Sequence, residues 1–92
     1  MKLFNLRKTC ESNPAQWEAT NEVGENVYIR YRFDRLTVHC PFNPNNERNY
    51  QAFMDAQILD MSQVHDDEYR GVMATSEMLA LTGFEEIYRK EE

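Results

Sequence analysis

The sequence predicts an α+β domain: a three-stranded antiparallel meander, with a fourth strand left open at 57–64, packed against two or three short helices. Two observations carry this expectation. Apolar residues alternate with period two from Ala15 to Phe42, and they recur at helical spacing over 50–61 and 75–82. A third, the clustering of Gly, Pro and Asn between these stretches, supplies the punctuation.

The elements follow in order. Leu3, Phe4, Leu6, Arg7 and Cys10 fit a short amphipathic helix, ended by Glu-Ser-Asn-Pro at 11–14 because a residue before proline is pushed out of helical geometry. Trp17, Ala19 and Asn21 then alternate with Gln16, Glu18 and Thr20 as a first strand, and Val23-Gly24-Glu25 makes the turn. The second strand sets Val27, Ile29, Tyr31 and Phe33 on one face and Tyr28, Arg30 and Arg32 on the other. The third sets Leu36, Val38, Cys40 and Phe42 inward and Thr37 and His39 outward. A turn at Asp34-Arg35 would pair Phe33 with Leu36, Tyr31 with Val38, Ile29 with Cys40 and Val27 with Phe42, keeping every pair on one side. A first loop centred on Gly24 would set Ala19 opposite Ile29, Trp17 opposite Tyr31 and Glu18 opposite Arg30.

Pro41, Pro44 and the asparagines at 43, 45 and 46 end the sheet. Tyr50, Phe53, Met54, Gln57, Ile58 and Met61 follow at helical spacing with Asn46 as N-cap, although Ile58 to Val64 also reads as a strand. His65-Asp66-Asp67-Glu68 is a solvated loop. Thr75 or Ser76 caps a helix through Met78, Leu79 and Leu81 that Gly83 terminates, and Phe84, Ile87 and Tyr88 add a last apolar contact.

Ninety-two residues suit one domain with a modest core. The net charge of −6 opposes general DNA or anionic-membrane binding. It is unevenly spread: residues 1–45 carry six Lys/Arg against five Asp/Glu, residues 46–92 four against eleven. No apolar run has the length of a membrane span, the start lacks the pattern of a signal peptide, and two cysteines make no disulfide framework, so the expected location is cytoplasmic.

Catalytic signatures are missing: no phosphate-binding loop, dinucleotide fingerprint, nucleophile elbow or zinc-protease helix occurs. Cys40 and His39 are neighbours that point to opposite faces, and Cys10, Cys40 and His65 lack the spacing of a metal site. Neither an enzyme nor a cofactor is expected. Two binding surfaces stand out. Tyr28, Arg30, Arg32 and His39 share the outer sheet face, where arginine and tyrosine suit a phosphate, a nucleotide or an acidic partner, with Glu18 placed to neutralise Arg30. The acidic half offers Asp55, Asp60, Asp66, Asp67 and Glu68 to a basic partner.

The run Trp17-Glu18, Gly24, Val27-Tyr28-Ile29-Arg30-Tyr31-Arg32 and Leu36-Thr37-Val38 resembles a family of small uncharacterised proteins from bacterial and phage genomes. In that family Trp-Glu leads into a glycine turn, a Val-Tyr-x-Arg-Tyr-Arg strand and a Leu-Ser/Thr-Val strand. The likeness covers roughly residues 10–40, with an echo from Gly71-Val72-Met73 to Leu81-Thr82-Gly83. Ala19 and Phe33-Asp34 depart from it where glycine-containing bends are expected. The resemblance implies a meander and carries no activity with it. In size, acidity and want of catalytic motifs the chain is also similar to phage inhibitors of bacterial defence such as anti-CRISPR proteins. The leading expectation is therefore a non-enzymatic, phage- or mobile-element-encoded inhibitor acting in the host cytoplasm. It would occupy a basic, nucleic-acid-binding surface on a host protein or nucleoprotein complex. The alternative is a small-molecule or nucleotide binder using the arginine-bearing face.

Overall fold

A computed structural model describes residues 1–43, 49–67 and 70–88. The elements run β1 (Lys2–Cys10), β2 (Ala15–Thr20), β3 (Asn26–Arg32), β4 (Arg35–His39), α1 (Tyr50–Asp55), β5 (Gln57–Met61), α2 (Thr75–Thr82) and β6 (Glu85–Ile87). One six-stranded sheet, ordered β5-β4-β3-β2-β1-β6, replaces the smaller meander expected, and every neighbouring pair is antiparallel except β1 with β6.

The N-terminal segment is a strand rather than a helix, and the reason lies in two bulges. Phe4 pairs with Thr20 and Arg7 with Glu18, so three steps on β1 match two on β2. The surplus falls at Asn5, whose φ is 55°. A second surplus falls between Lys8, opposite Trp17, and Cys10, opposite Gln16. The first extra residue turns a spacing of two into three, so Leu3 and Leu6 share a face as they would on a helix, while the second sets Cys10 opposite the outward-facing Gln16. Leu3 is buried and Leu6 packs on the same core.

The same substitution of bulge for helix occurs after α1. The helix spans only Tyr50–Asp55, capped by Asn49, whose side chain accepts from the Ala52 N–H at 3.2 Å. The expected cap, Asn46, lies outside the described residues. From Gln57 the chain is the edge strand β5, with Leu59 opposite Val38 and Gln57 opposite His39, leaving Ile58 as the extra, exposed residue.

Both hairpins keep the expected faces and shift partner by two residues. Trp17 lies opposite Ile29, Glu18 opposite Tyr28 and Ala19 opposite Val27. Asn21 closes this shorter loop: its Oδ1 accepts from the N–H groups of Val23 and Glu25 at 3.1 and 2.8 Å. In the next hairpin Ile29 pairs with Val38, Tyr31 with Leu36 and Arg32 with Arg35. Its turn is therefore Phe33-Asp34, not Asp34-Arg35. Both turn residues have positive φ, 54° and 57°, as the mirror-image turn favoured in two-residue hairpins requires. Phe33, expected in the core, is 63% exposed, and Asp34 is 1% exposed.

The inner sheet face carries the core: Leu3, Trp17, Val27, Ile29, Tyr31, Leu36 and Val38 meet Met73 and Met78. Met78 comes from α2, which Gly83 ends in a left-handed conformation at φ 75°, as expected. Its N-cap is Ala74, with no side-chain capping bond. Instead the Thr75 hydroxyl accepts from Trp17 Nε1 at 2.9 Å, fastening the helix to β2.

The connection before α2 is strapped across the sheet end by Asp34. Its main chain exchanges bonds with Val64 and Arg70, while its carboxylate accepts from Tyr31 Oη at 2.5 Å and from the N–H groups of His65 and Asp67 at 2.9 Å. The strap then joins Asn13, whose N–H donates to the Gly71 carbonyl at 2.9 Å. Among the described residues no helix is long and apolar enough to cross a membrane.

Candidate anion-binding cleft

Period-two geometry sends Arg30 and Arg32 to the outer face of β3, and the turn at Phe33-Asp34 brings Arg35 round to face Arg32. Like charges directly opposite are destabilising on a sheet. Two contacts offset this pairing. The Arg32 guanidinium lies 4.7 Å from the Phe33 ring centroid, and Arg35 holds Asp60 on β5 through a fork, Nε to Oδ1 at 2.7 Å and Nη2 to Oδ2 at 2.5 Å. That bond holds the Asp60 carboxyl below its ordinary range.

Helix α1 covers the next part of the same face. Its Phe53 stacks on His39 with ring centroids 3.9 Å apart and planes 16° apart. Phe42 lies edge-on to Phe53 and stacks on Tyr28 at 4.6 Å, so Phe42, expected on the inward face, is instead buried in this outer aromatic cluster. His39 is outward-facing yet only 2% exposed. Neither of its ring nitrogens, nor the buried Nε of Arg30, has a hydrogen-bond partner among the described residues. Burial first, then the Arg30 charge, hold the imidazole below its ordinary value, with Asp60 opposing, so it is neutral at neutral pH.

Between the arginines and α1 lies a cleft of about 270 Å³. Arg30, Thr37 and His39 form its sheet wall, Arg32, Arg35 and Phe33 its turn end, and Phe53, Met54 and Gln57 its helix side. Among the described residues, three guanidinium groups stand against the one carboxylate of Asp60, which makes the cleft positive in a molecule that is negative as a whole. Guanidinium forks, the Thr37 hydroxyl and the Gln57 amide can hold an anionic oxygen cluster, while Phe33, Phe53 and Met54 offer apolar surface to the rest of a ligand.

Of the residues picked out in the sequence, the structure brings Arg30, Arg32 and His39 into this cleft. Tyr28 stands beside it, its ring centroid 6.3 Å from that of His39 and its hydroxyl accepting from Gln16 Nε2 at 2.7 Å. Glu18 does not neutralise Arg30: it faces Tyr28 and reaches Arg7 at 3.9 Å. The acidic residues are dispersed. Asp55 ends α1, exposed, accepting from Gln51 Nε2 at 2.8 Å; Asp60 is held by Arg35; Asp66 and Asp67 are exposed on the strap. Glu68 lies outside the described residues. Arg35, Phe33 and the α1 side of the cleft were missed. A turn placed one residue earlier would have revealed Arg35, since it then falls on the outward parity of β4.

Comparison with protein-family models, with curated proteins and with solved structures found no match.

Proposed function

We propose that the protein is a binding module that captures a small anionic ligand, of the nucleotide or phosphate-ester type, in the outer-face cleft. The observation that carries this reading is the convergence of Arg30, Arg32 and Arg35 on one concave site next to a buried histidine without a hydrogen-bond partner among the described residues. Arg30 and Arg32 form no ion pair among the described residues, so their charge is at the disposal of a ligand. The turn supports it too. Phe33 holds a positive φ where Asn or Gly is preferred, and it spends an aromatic side chain on exposure at the cleft mouth. Local strain of that kind is tolerated where a site uses it.

Thermal denaturation with a panel of nucleoside monophosphates, cyclic dinucleotides, inorganic phosphate and sulfate tests the proposal. A ligand that binds only the folded state at 100 times its Kd adds about 2.7 kcal/mol of stability, a shift of roughly 10 °C or more for a chain this size. Arg30→Ala with Arg32→Ala should abolish that shift. A panel that leaves the melting temperature unmoved would sink the reading.

The inhibitor reading, in which the acidic half docks on a basic host surface, keeps one observation in its favour: Asp55, Asp66 and Asp67 are all exposed. Asp60→Asn separates the two. It removes a negative charge from the edge of the cleft and should tighten anion capture, whereas it should weaken docking to a basic partner.

A further inference from the structure

We infer that the cleft binds a tetrahedral dianion together with a proton, and that His39 is the group that takes the proton. The inference rests on the anion-binding reading and deepens it. Two guanidinium groups, those of Arg30 and Arg32, have no carboxylate partner among the described residues, while Arg35 is already matched by Asp60. A group carrying two negative charges, such as a phosphate monoester or a sulfate, fits that surplus.

His39 then stands in a changed field. In the structure as it is, the strongest influences on its ring among the described residues favour the neutral form. From β3 it meets Arg30 and Tyr28, from β5 Gln57 opposite and Asp60 nearby, from α1 the flat ring of Phe53. Arg30 repels an imidazolium, burial penalises it, and Asp60, already bonded to Arg35, opposes them only in part. A dianion seated against Arg30 reverses the sign of the local potential. The face of Phe53 at 3.9 Å also suits a cation better than a neutral ring. Because neutral imidazole always carries one donor and one acceptor, His39 sits in its pocket with two groups lacking partners among the described residues, and a proton-linked contact to the ligand would relieve at least one. Linkage is reciprocal: if the anion raises the proton affinity of His39, protons raise the affinity for the anion by the same factor.

Inorganic sulfate is the decisive probe, since its own charge does not change across the pH range in which histidine titrates. Calorimetric titration of the full chain with sulfate should show affinity rising at least about five-fold from about pH 7.5 to about pH 5.5, with proton uptake detected by comparing buffers of different ionisation heat; a parallel titration with a nucleoside 5′-monophosphate at about pH 7.5, where its phosphate is a dianion, tests the ester. His39→Gln should bind with a flat pH profile. NMR of the His39 ring in the unsubstituted chain is the second measurement: sulfate should move its titration upward. Sulfate affinity that is equal at both pH values, or a pH dependence that survives in His39→Gln, or a His39 titration that sulfate does not shift, overturns the inference while the anion-binding reading stands. Absence of binding by either ligand at every pH overturns both.

Discussion

Asp34 shows how much one residue can organise. Its carboxylate is shut away from solvent and satisfied by a phenol and two main-chain N–H groups. The partners act in both directions: Tyr31 is pushed up by its burial and then by the Asp34 carboxylate, and Asp34 is held below its ordinary range by its hydrogen bonds, led by that of Tyr31, against the opposing effect of desolvation. Removing the phenol alone, in Tyr31→Phe, should cost about 1–2 kcal/mol in urea unfolding. Asp34→Ala should cost more, because it leaves the N–H groups of His65 and Asp67 and the Tyr31 hydroxyl without their acceptor. Phe33 beside it poses the opposite case. Phe33→Asn suits the positive φ better and should stabilise the fold by about 0.5–1 kcal/mol while weakening ligand capture. If Phe33→Asn loses stability, the turn geometry is not what constrains that position.

At the scale of elements, the faces of β2, β3 and β4 were legible because alternation survives any even shift of register. The partners were not. A shift of two residues keeps Tyr31 and Val38 inward while exchanging who meets whom, and only the local chemistry of Asn21 and of the Phe33-Asp34 turn decides between the alternatives. A bulge hid β1 and left β5 readable as either helix or strand, since a strand with an added residue has the spacing of one helical turn. Strand β6 was invisible for another reason: Glu85-Glu86-Ile87 has no alternation of its own and is a strand because β1 offers it an edge. The cleft was half legible. Its β3 side followed from the alternation of Arg30 and Arg32, and its helical side depended on where α1 would land. The strap also sets a steric demand. A Cβ on Gly71 would lie 2.3 Å from Asn13 Oδ1 and 3.1 Å from Asn13 Cα, so Gly71→Ala should cost about 1–3 kcal/mol by chemical denaturation.

For the whole molecule, two buried groups divide the acid limb of stability. His39 is held below its unfolded value of about 6.5, so the unfolded chain binds more protons as pH drops beneath that point, and stability declines from there. Asp34 is held below its unfolded value of about 3.9; its contribution is intact above that and disappears as pH falls through its folded value. Denaturation midpoints should therefore fall in two stages on acidification. His39→Leu should erase the upper stage and leave the lower one. A single decline unaffected by that substitution would mean His39 is not the group responsible.

The place of β6 in the sheet has a consequence for the order of assembly. Lys2 pairs with Glu85 and Phe4 with Ile87, contacts between opposite extremes of the described chain. The cleft needs only the stretch from Arg30 to Gln57, joined by a two-residue turn and one short helix. Closing near neighbours costs little chain entropy, whereas joining remote segments costs more and is slower. The ligand-facing half is thus the part that can form early, and the β1–β6 seam is the last to shut and the first to open. Amide exchange should record this as fast-exchanging protons along that seam beside slow ones in β3, with the cleft keeping its protection through openings that release the far edge.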